Sequence, residues 1–233
     1  MRSESLQHGI RGSCMLVLKR KLDSMALIAK TVAAIAAAHC GLAFAGPVED
    51  YTEGAKRYAS GDLIAAMPLL RRAADAGHAA AQAAIGEIVD QADSKVEAIG
   101  YFRKSAAQGN ADGQFGLGIM LASGEGAPKD LAEGRKWIML AAEQGHPIAI
   151  NELASAYITG GLDIPENARQ STEALRWIRT AADSGYLTAM ARMENAYRRG
   201  ELGLDVDLKV ADQWAEKIRK IRGVPKGRRK KKE

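Results

Sequence analysis

The chain reads as all-α, built from about five stacked helix-turn-helix units, and three observations carry that reading. Four times a Gly closes a helix-like stretch shortly after an Ala pair, with a bulky side chain eight residues before it: Leu69 to Gly77, Tyr101 to Gly109, Trp137 to Gly145 and Trp177 to Gly185. The Ala pairs are Ala73-Ala74, Ala106-Ala107, Ala141-Ala142 and Ala181-Ala182, and a fifth copy begins at Trp214. The residues behind each closing Gly then follow a helical period. Finally, no stretch sustains the two-residue alternation of a half-buried strand. Units of this length cannot bury an apolar face alone, so the periodicity implies stacked modules and an extended surface rather than one pocket.

The first helix of each unit is set by residues four, eight and twelve places after the closing Gly. The fourth is small (Ala81, Gly113, Ala149, Ala189), the eighth is aliphatic or Met (Ile85, Leu117, Leu153, Met193), and the twelfth is larger (Val89, Leu121, Tyr157, Tyr197). That spacing lies on one face of a 3.6-residue helix. Three residues later stand Gly124, Gly160 and Gly200, with Ala92 the exception, and Gly61 serves the first unit. A Gly after the last apolar turn supplies the left-handed conformation a helix end often needs.

The second helix carries Ala98, Ala132, Ala174 and Ala211 ahead of the aromatic and the Ala pair behind it, small residues that let neighbouring helices approach. From stop to aromatic the chain runs nine, thirteen and then seventeen residues in units two, three and four, with Pro128 and Pro165 in the longer connections. Insertions therefore fall in one recurring loop, on one side of the stack. The predicted pairs span roughly 50–76, 79–108, 111–144, 147–184 and 187–221.

The order Ala, Leu-Gly or Leu-Ala, Tyr, Gly-x-Gly, Asp, Trp, Ala-Ala, Gly resembles the Sel1-like repeat. Unit three matches it best, with Leu117-Gly118, Leu121, Gly124-Glu125-Gly126, Asp130, Trp137, Ala141-Ala142 and Gly145. It departs at Leu121 for Tyr and at Gly134 for Ala; unit four lacks the second Gly of Gly-x-Gly, and units one and two have shortened that step away. The resemblance covers about residues 51–222 and implies a right-handed α-solenoid akin to tetratricopeptide arrays. It also implies an adaptor that holds other proteins.

Flanking segments differ from the repeats. Residues 1–45 read as a secretory leader, with basic Lys19, Arg20, Lys21 and Lys30, an apolar run from Thr31 through Ala38, and Ala43-Phe44-Ala45 before Gly46. That is the order of export followed by cleavage near Ala45. The start could be Met1, Met15 or Met25, of which Met25 gives the more ordinary leader. An N-terminal membrane anchor is the alternative, but His39 and Gly41 interrupt an apolar run shorter than the ~20 residues a span needs. Both cysteines, Cys14 and Cys40, fall in this leader, so the remaining 188 residues contain none and must be held by their core alone. This separates the chain from Sel1-like proteins that carry a disulfide in each repeat.

The formal net charge of +5 averages three unlike segments. The leader has six basic and two acidic residues, and residues 217–233 have ten basic and one acidic; residues 46–216 hold seventeen basic against twenty-five acidic. The repeats are acidic and the tail basic. Gly223, Pro225 and Gly227 predict a flexible segment over 223–233, ending in Arg228, Arg229, Lys230, Lys231 and Lys232. Such a run suits anionic lipid headgroups, a cell-surface polymer or an acidic partner. Nucleic acid is not expected, because no aromatic residue interleaves the run and export would separate it from that partner.

Enzymatic chemistry finds little support. Outside the leader only His78 and His146 remain, two units apart and each directly after a repeat Gly, so they read as loop or helix-entry residues rather than shared metal ligands. There is no Cys nucleophile outside the leader and no Gly-x-Ser-x-Gly elbow. Gly113-Gln-Phe-Gly116-Leu-Gly118 superficially matches a phosphate loop, but no strand precedes it, and its glycines suit tight helix packing. Trp137, Trp177 and Trp214 share a repeat position and read as core wedges.

The function expected is therefore a non-enzymatic adaptor or regulator of a bacterial envelope, periplasmic or secreted, with no cofactor and no metal. Its partner is another envelope protein or peptide segment held on the concave side lined by the first helices. The polar positions expected there are Glu87, Asn151, Glu152, Ser155, Arg192, Asn195 and Arg198. Their signs run from acidic in unit two to mixed and basic in unit five, which favours a segment bound in one direction. The alternatives are a cell-wall or polysaccharide-acting enzyme, which needs a cleft with paired acids and aromatic platforms, and an electrostatic binder working through the tail.

Overall fold

A computed structural model describes residues 46–223, and among them ten α-helices follow one another without a strand. They pair as α1 (Pro47–Ala59) with α2 (Leu63–Asp75), α3 (Ala79–Gln91) with α4 (Lys95–Ala107), and α5 (Ala111–Ser123) with α6 (Leu131–Glu143). Then come α7 (Pro147–Thr159) with α8 (Thr172–Asp183), and α9 (Leu187–Arg199) with α10 (Leu208–Ile221). A short 3-10 turn, Glu166–Gln170, fills the longest connection. The helix pairs fall where the repeat predicts them, giving the expected α-solenoid. Residues 1–45, expected to be a leader, and Arg228 to Lys232 of the tail lie outside the described residues.

Helix starts and stops are written locally. Asp62, Asn110, Asp130, Ser171 and Asp207 each accept the N–H three residues on, satisfying one of the orphan donors of a first turn. His78 and His146 do the same through Nδ1, to Ala81 at 3.2 Å and Ala149 at 3.1 Å, while their rings stack on Tyr51 and Phe115. Both histidines are thus helix caps. The closing and stop glycines lie in the left-handed region, and in unit two, where Ala92 stands at the stop, Asp93 takes that conformation instead at φ 63°.

The core follows the predicted register. Ala81, Ala149, Ala189, Ile85, Leu153 and Met193 are fully enclosed on the first helices. On the second helices of units one to four a buried residue stands one place after the predicted bulky position: Leu70, Phe102, Ile138 and Ile178 are buried, whereas Tyr101 and Trp137 are half-buried and only Trp177 and Trp214 lie inside. An aromatic with a polar edge tolerates that half-wet position. Two further corrections concern register. The buried small pair of unit two is Ser105-Ala106, with Ala107 exposed. Ala132 is also exposed, and Gly134 occupies the place held elsewhere by Ala98, Ala174 and Ala211, all fully buried.

Gly134 shows why. A Cβ there would sit 2.7 Å from the carbonyl oxygen of Gly118, and a Cβ on Gly118 would sit 2.7 Å from Ile138 Cγ1 and 2.9 Å from the Gly134 oxygen. The α5–α6 backbones approach too closely for any side chain between them. The glycine-rich run of α5 is used up by packing, because Gly113 abuts Ser105 and Gly116 abuts Phe102.

Buried apolar residues form two clusters. One runs from Ala66 to Leu121 and the other from Ile138 to Ile218, so they divide within unit three. At the N-terminal end, Asp50 of α1 is 4% exposed and accepts from Arg72 of α2, at 2.8 Å from Nε and more closely from Nη2. The Arg72 hydrogen bonds hold its carboxyl below the ordinary carboxylate range, against the opposing pull of burial. A group titrating lower when folded adds stability that is complete above its unfolded value, near pH 4, and is lost as pH falls through the folded one. In urea titrations from about pH 5 down to about pH 3, wild type should therefore lose stability more steeply than Asp50→Asn, which starts lower. Parallel lines would show that the pair contributes nothing.

Candidate interaction face

The topology sorts the helices into two sides. Each second helix packs against the first helix of its own unit and of the next, while first helices also touch one another, α3 on α5 and α7 on α9. The first helices therefore line one side, touching where α3 meets α5 and where α7 meets α9. Ten residues after each closing Gly that side carries Glu87, Ile119, Ser155 and Asn195, and one helical repeat earlier Ala80, Asp112, Ile148 and Thr188, all half-buried or exposed.

The predicted polar residues are not equivalent. Glu87 is exposed, with a 3.3 Å hydrogen bond from Gln91, and Glu152 is half-buried with no ion pair among the described residues. Ser155 and Asn195 stand at one repeat position on neighbouring helices. Asn151 is half-buried and its Oδ1 has no hydrogen-bond partner among the described residues. Arg192 is ion-paired with Glu201, and Arg198 with Glu194 at 3.0 Å and Asp212 at 2.8 Å. The basic end of the predicted gradient is thus neutralised by its own unit, and the uncompensated charge of this side is acidic.

A cavity of about 320 Å³ opens between units four and five, bounded by Tyr157, Ile158, Glu166, Arg169, Gln170 and Arg192. Arg169 donates to the carbonyls of Tyr157 and Ile158, the last turn of α7, where a cation complements the helix end. The Tyr157 phenol is pushed up to about 12, first by burial and then by its hydrogen bond to the Glu173 carboxylate, with Arg135 acting in the opposite direction. It stays a neutral donor. A second cavity of about 410 Å³ runs along α6 beside Glu133, Lys136, Trp137 and Leu140. Neither gathers paired acids around a nucleophile, and among the described residues no group of His, Cys, Asp and Glu could hold a metal.

The inserted loops are pinned rather than loose. Lys95 Nζ reaches Asp90 at 3.0 Å and Glu125 at 3.5 Å, and Gly126, at φ 70°, lies so near the Lys95 carbonyl that a Cβ would be 2.3 Å from it. Arg135 donates to the carbonyls of Leu162 and Asp163, and the Leu202 N–H donates to Gln170. Each loop is thus held by the unit before it. Glutamine pairs add a second tie that the repeat pattern did not reveal: Gln108 donates to Gln82 and Gln144 to Gln114, with Gln82 and Gln114 6% exposed. Their only sequence signal was a polar residue on an otherwise apolar helix face.

Against this geometry, the family model for the Sel1 repeat matches residues 36–78, 80–110, 111–146 and 147–186. The chain belongs to the Sel1 repeat family. The fifth pair, α9 and α10, extends the same helical stack beyond the four matched Sel1 repeats. Among solved structures, a protective antigen of uropathogenic Escherichia coli strains displaying an SLR fold is 28% identical with a TM-score of 0.64. The alignment covers 75% of this chain and 38% of the antigen, so this chain matches well under half of that protein's length. A Sel1 repeat protein from Oxalobacter formigenes is 25% identical, TM-score 0.58, over 74% of this chain and 70% of that one. A third, from Klebsiella pneumoniae, shares the fold at 18% identity and a TM-score of 0.50, over 74% of this chain and 85% of that one. No curated protein matches the chain. Sel1 repeats serve in general as protein-interaction scaffolds, typically without enzymatic activity.

Proposed function

We propose that this Sel1 repeat protein is an exported scaffold of the bacterial envelope that holds an extended segment of another envelope protein along the side lined by α3, α5, α7 and α9. The observation that carries this reading is the charge left over on that side. Among the described residues Glu87 and Glu152 have no basic partner, whereas Arg192 and Arg198 are satisfied internally. Between the two acids lie Ala84 and Ile119, small or apolar positions over which a backbone can pass closely. A basic segment with interspersed apolar side chains fits that surface, and electrostatic complementarity would set its orientation and speed its docking.

The test is capture from the host envelope fraction with wild type, with Glu87→Lys/Glu152→Lys, and with Glu133→Lys on α6 as a control. A protein retained by wild type and the control but lost from the double variant is the expected result. Equal retention by all three would remove this face from the binding account.

A further inference from the structure

We infer that the cavity along α6 is a docking site for an arginine side chain of a second protein, stacked on Trp137 and paired with the Glu133 carboxylate. It belongs to a second helix rather than to the side lined by α3, α5, α7 and α9, and does not rest on the reading of that side.

The second helices of units two to five carry an aromatic at one repeat position: Tyr101, Trp137, Trp177 and Trp214. At three of the four the chain supplies its own cation to the ring. Lys104 Nζ lies 5.4 Å from the centre of Tyr101, the Arg176 guanidinium carbon 4.5 Å from that of Trp177, and Lys217 Nζ 4.0 Å from that of Trp214. The negative face of an aromatic ring attracts a cation held there. Among the described residues no cation stands over Trp137. Three residues on, where Lys104 and Lys217 serve their rings, unit three has Leu140, 42% exposed. Lys136 holds the place of Arg176, one residue before the aromatic, yet it is exposed and lines the cavity instead of covering the ring. Trp177 and Trp214 are buried, whereas Trp137 is half-buried and borders about 410 Å³ of open cavity.

Charge selects the occupant. The lining holds two carboxylates, Asp130 and Glu133, against the single ammonium of Lys136, and none of the three is in an ion pair among the described residues. Asp130 is committed to the Glu133 N–H at 2.8 Å as a helix cap. Glu133, one helical turn before Trp137, accepts the indole N–H at 3.4 Å, so its carboxylate stands at the rim of the ring. A group lying on the ring therefore has an acceptor beside it. A guanidinium suits both features, because it is planar, weakly hydrated, stacks on aromatic faces and forks its N–H groups onto a carboxylate. Arg176 on Trp177 shows the stacking half of that arrangement within this chain. Ala132 and Leu140 add apolar surface for the methylene stem.

The indole N–H signals of the full chain, followed by NMR, test this. Trp137→Phe assigns one of the three, and a capped tripeptide with arginine between two glycines is the probe. It should move the Trp137 signal saturably and leave those of Trp177 and Trp214, buried and already covered, in place. Glu133→Gln, an exposed change, should weaken the response several-fold, and Lys136→Gln, which removes a competing cation, should strengthen it. A protein held through this cavity should be kept by Glu87→Lys/Glu152→Lys and lost from Glu133→Lys, the reverse of one held on the first helices. An unmoved Trp137 signal, equal movement of all three, an equal response to the neutral citrulline peptide, or no effect of Glu133→Gln would overturn the proposal.

Discussion

Replacing Gly118 by Val is expected to lower the unfolding free energy of the repeat domain by about 3 kcal/mol, at the upper end of what overpacking costs. The reason is the α5–α6 contact, where the new Cβ alone would lie 2.7 Å from Ile138 Cγ1 and 2.9 Å from both the Gly134 oxygen and the Ile138 nitrogen. Two of those three atoms are helix backbone, which cannot turn aside. Gly134→Ala is the sharper test because two effects of opposite sign compete. In a helix interior the change should stabilise by about 0.5–1 kcal/mol through backbone entropy alone. Here the Cβ would meet the Gly118 oxygen at 2.7 Å and the Ala122 nitrogen at 2.9 Å, so a net loss is expected in urea titrations followed by far-UV circular dichroism. A net gain would mean that the two helices do not approach so closely.

Leu153→Ala should cost a similar amount, about 2–5 kcal/mol, since the side chain is fully enclosed and the cavity left behind adds to the lost transfer energy. Its consequence should be local. Leu153 belongs to the cluster that runs from Ile138 to Ile218, distinct from the one between Ala66 and Leu121. In a repeat stack, stability is close to a sum of unit and neighbour terms, so weakening one cluster should uncouple it from the other. Trp177 and Trp214 report on the weakened half. Their fluorescence should change at lower urea than the circular dichroism of the whole domain. Coincident transitions in the variant would show that unit three couples the clusters too strongly to separate.

The legible part of this protein was everything that repeats. A closing Gly, a small residue four places on, an aliphatic at eight and a larger side chain at twelve sufficed to place five helix pairs, because each rule acts within one or two turns of chain. The His78 and His146 positions, directly after a repeat Gly, could be read as loop or helix entries, and the structure makes both of them helix caps. Register within the second helices was harder. Tyr101 and Trp137 stood out by size, yet Phe102 and Ile138 beside them are the buried residues, since size does not reveal which way a side chain faces across the neighbouring unit.

The candidate site was legible in outline only. Glu87 and Glu152 were identified as charged positions of first helices and are left without a cationic partner among the described residues, but Arg192 and Arg198 looked equally available. Glu194, four residues before Arg198, is a partner that helical spacing does offer, but Glu201 and Asp212 lie nine and fourteen residues from Arg192 and Arg198, in the following loop and in α10, where no short-range pattern points to them.

The sequence by itself determined that this chain is a helical stack of repeated units with unlike charged segments, because helix caps, apolar periods and left-handed glycines are local properties. Only the tertiary structure decided which charges remain uncompensated, which glycines are close contacts rather than chain breaks, and how each inserted loop is held. Those outcomes depend on distances between residues far apart in the chain, fixed when one unit packs on the next.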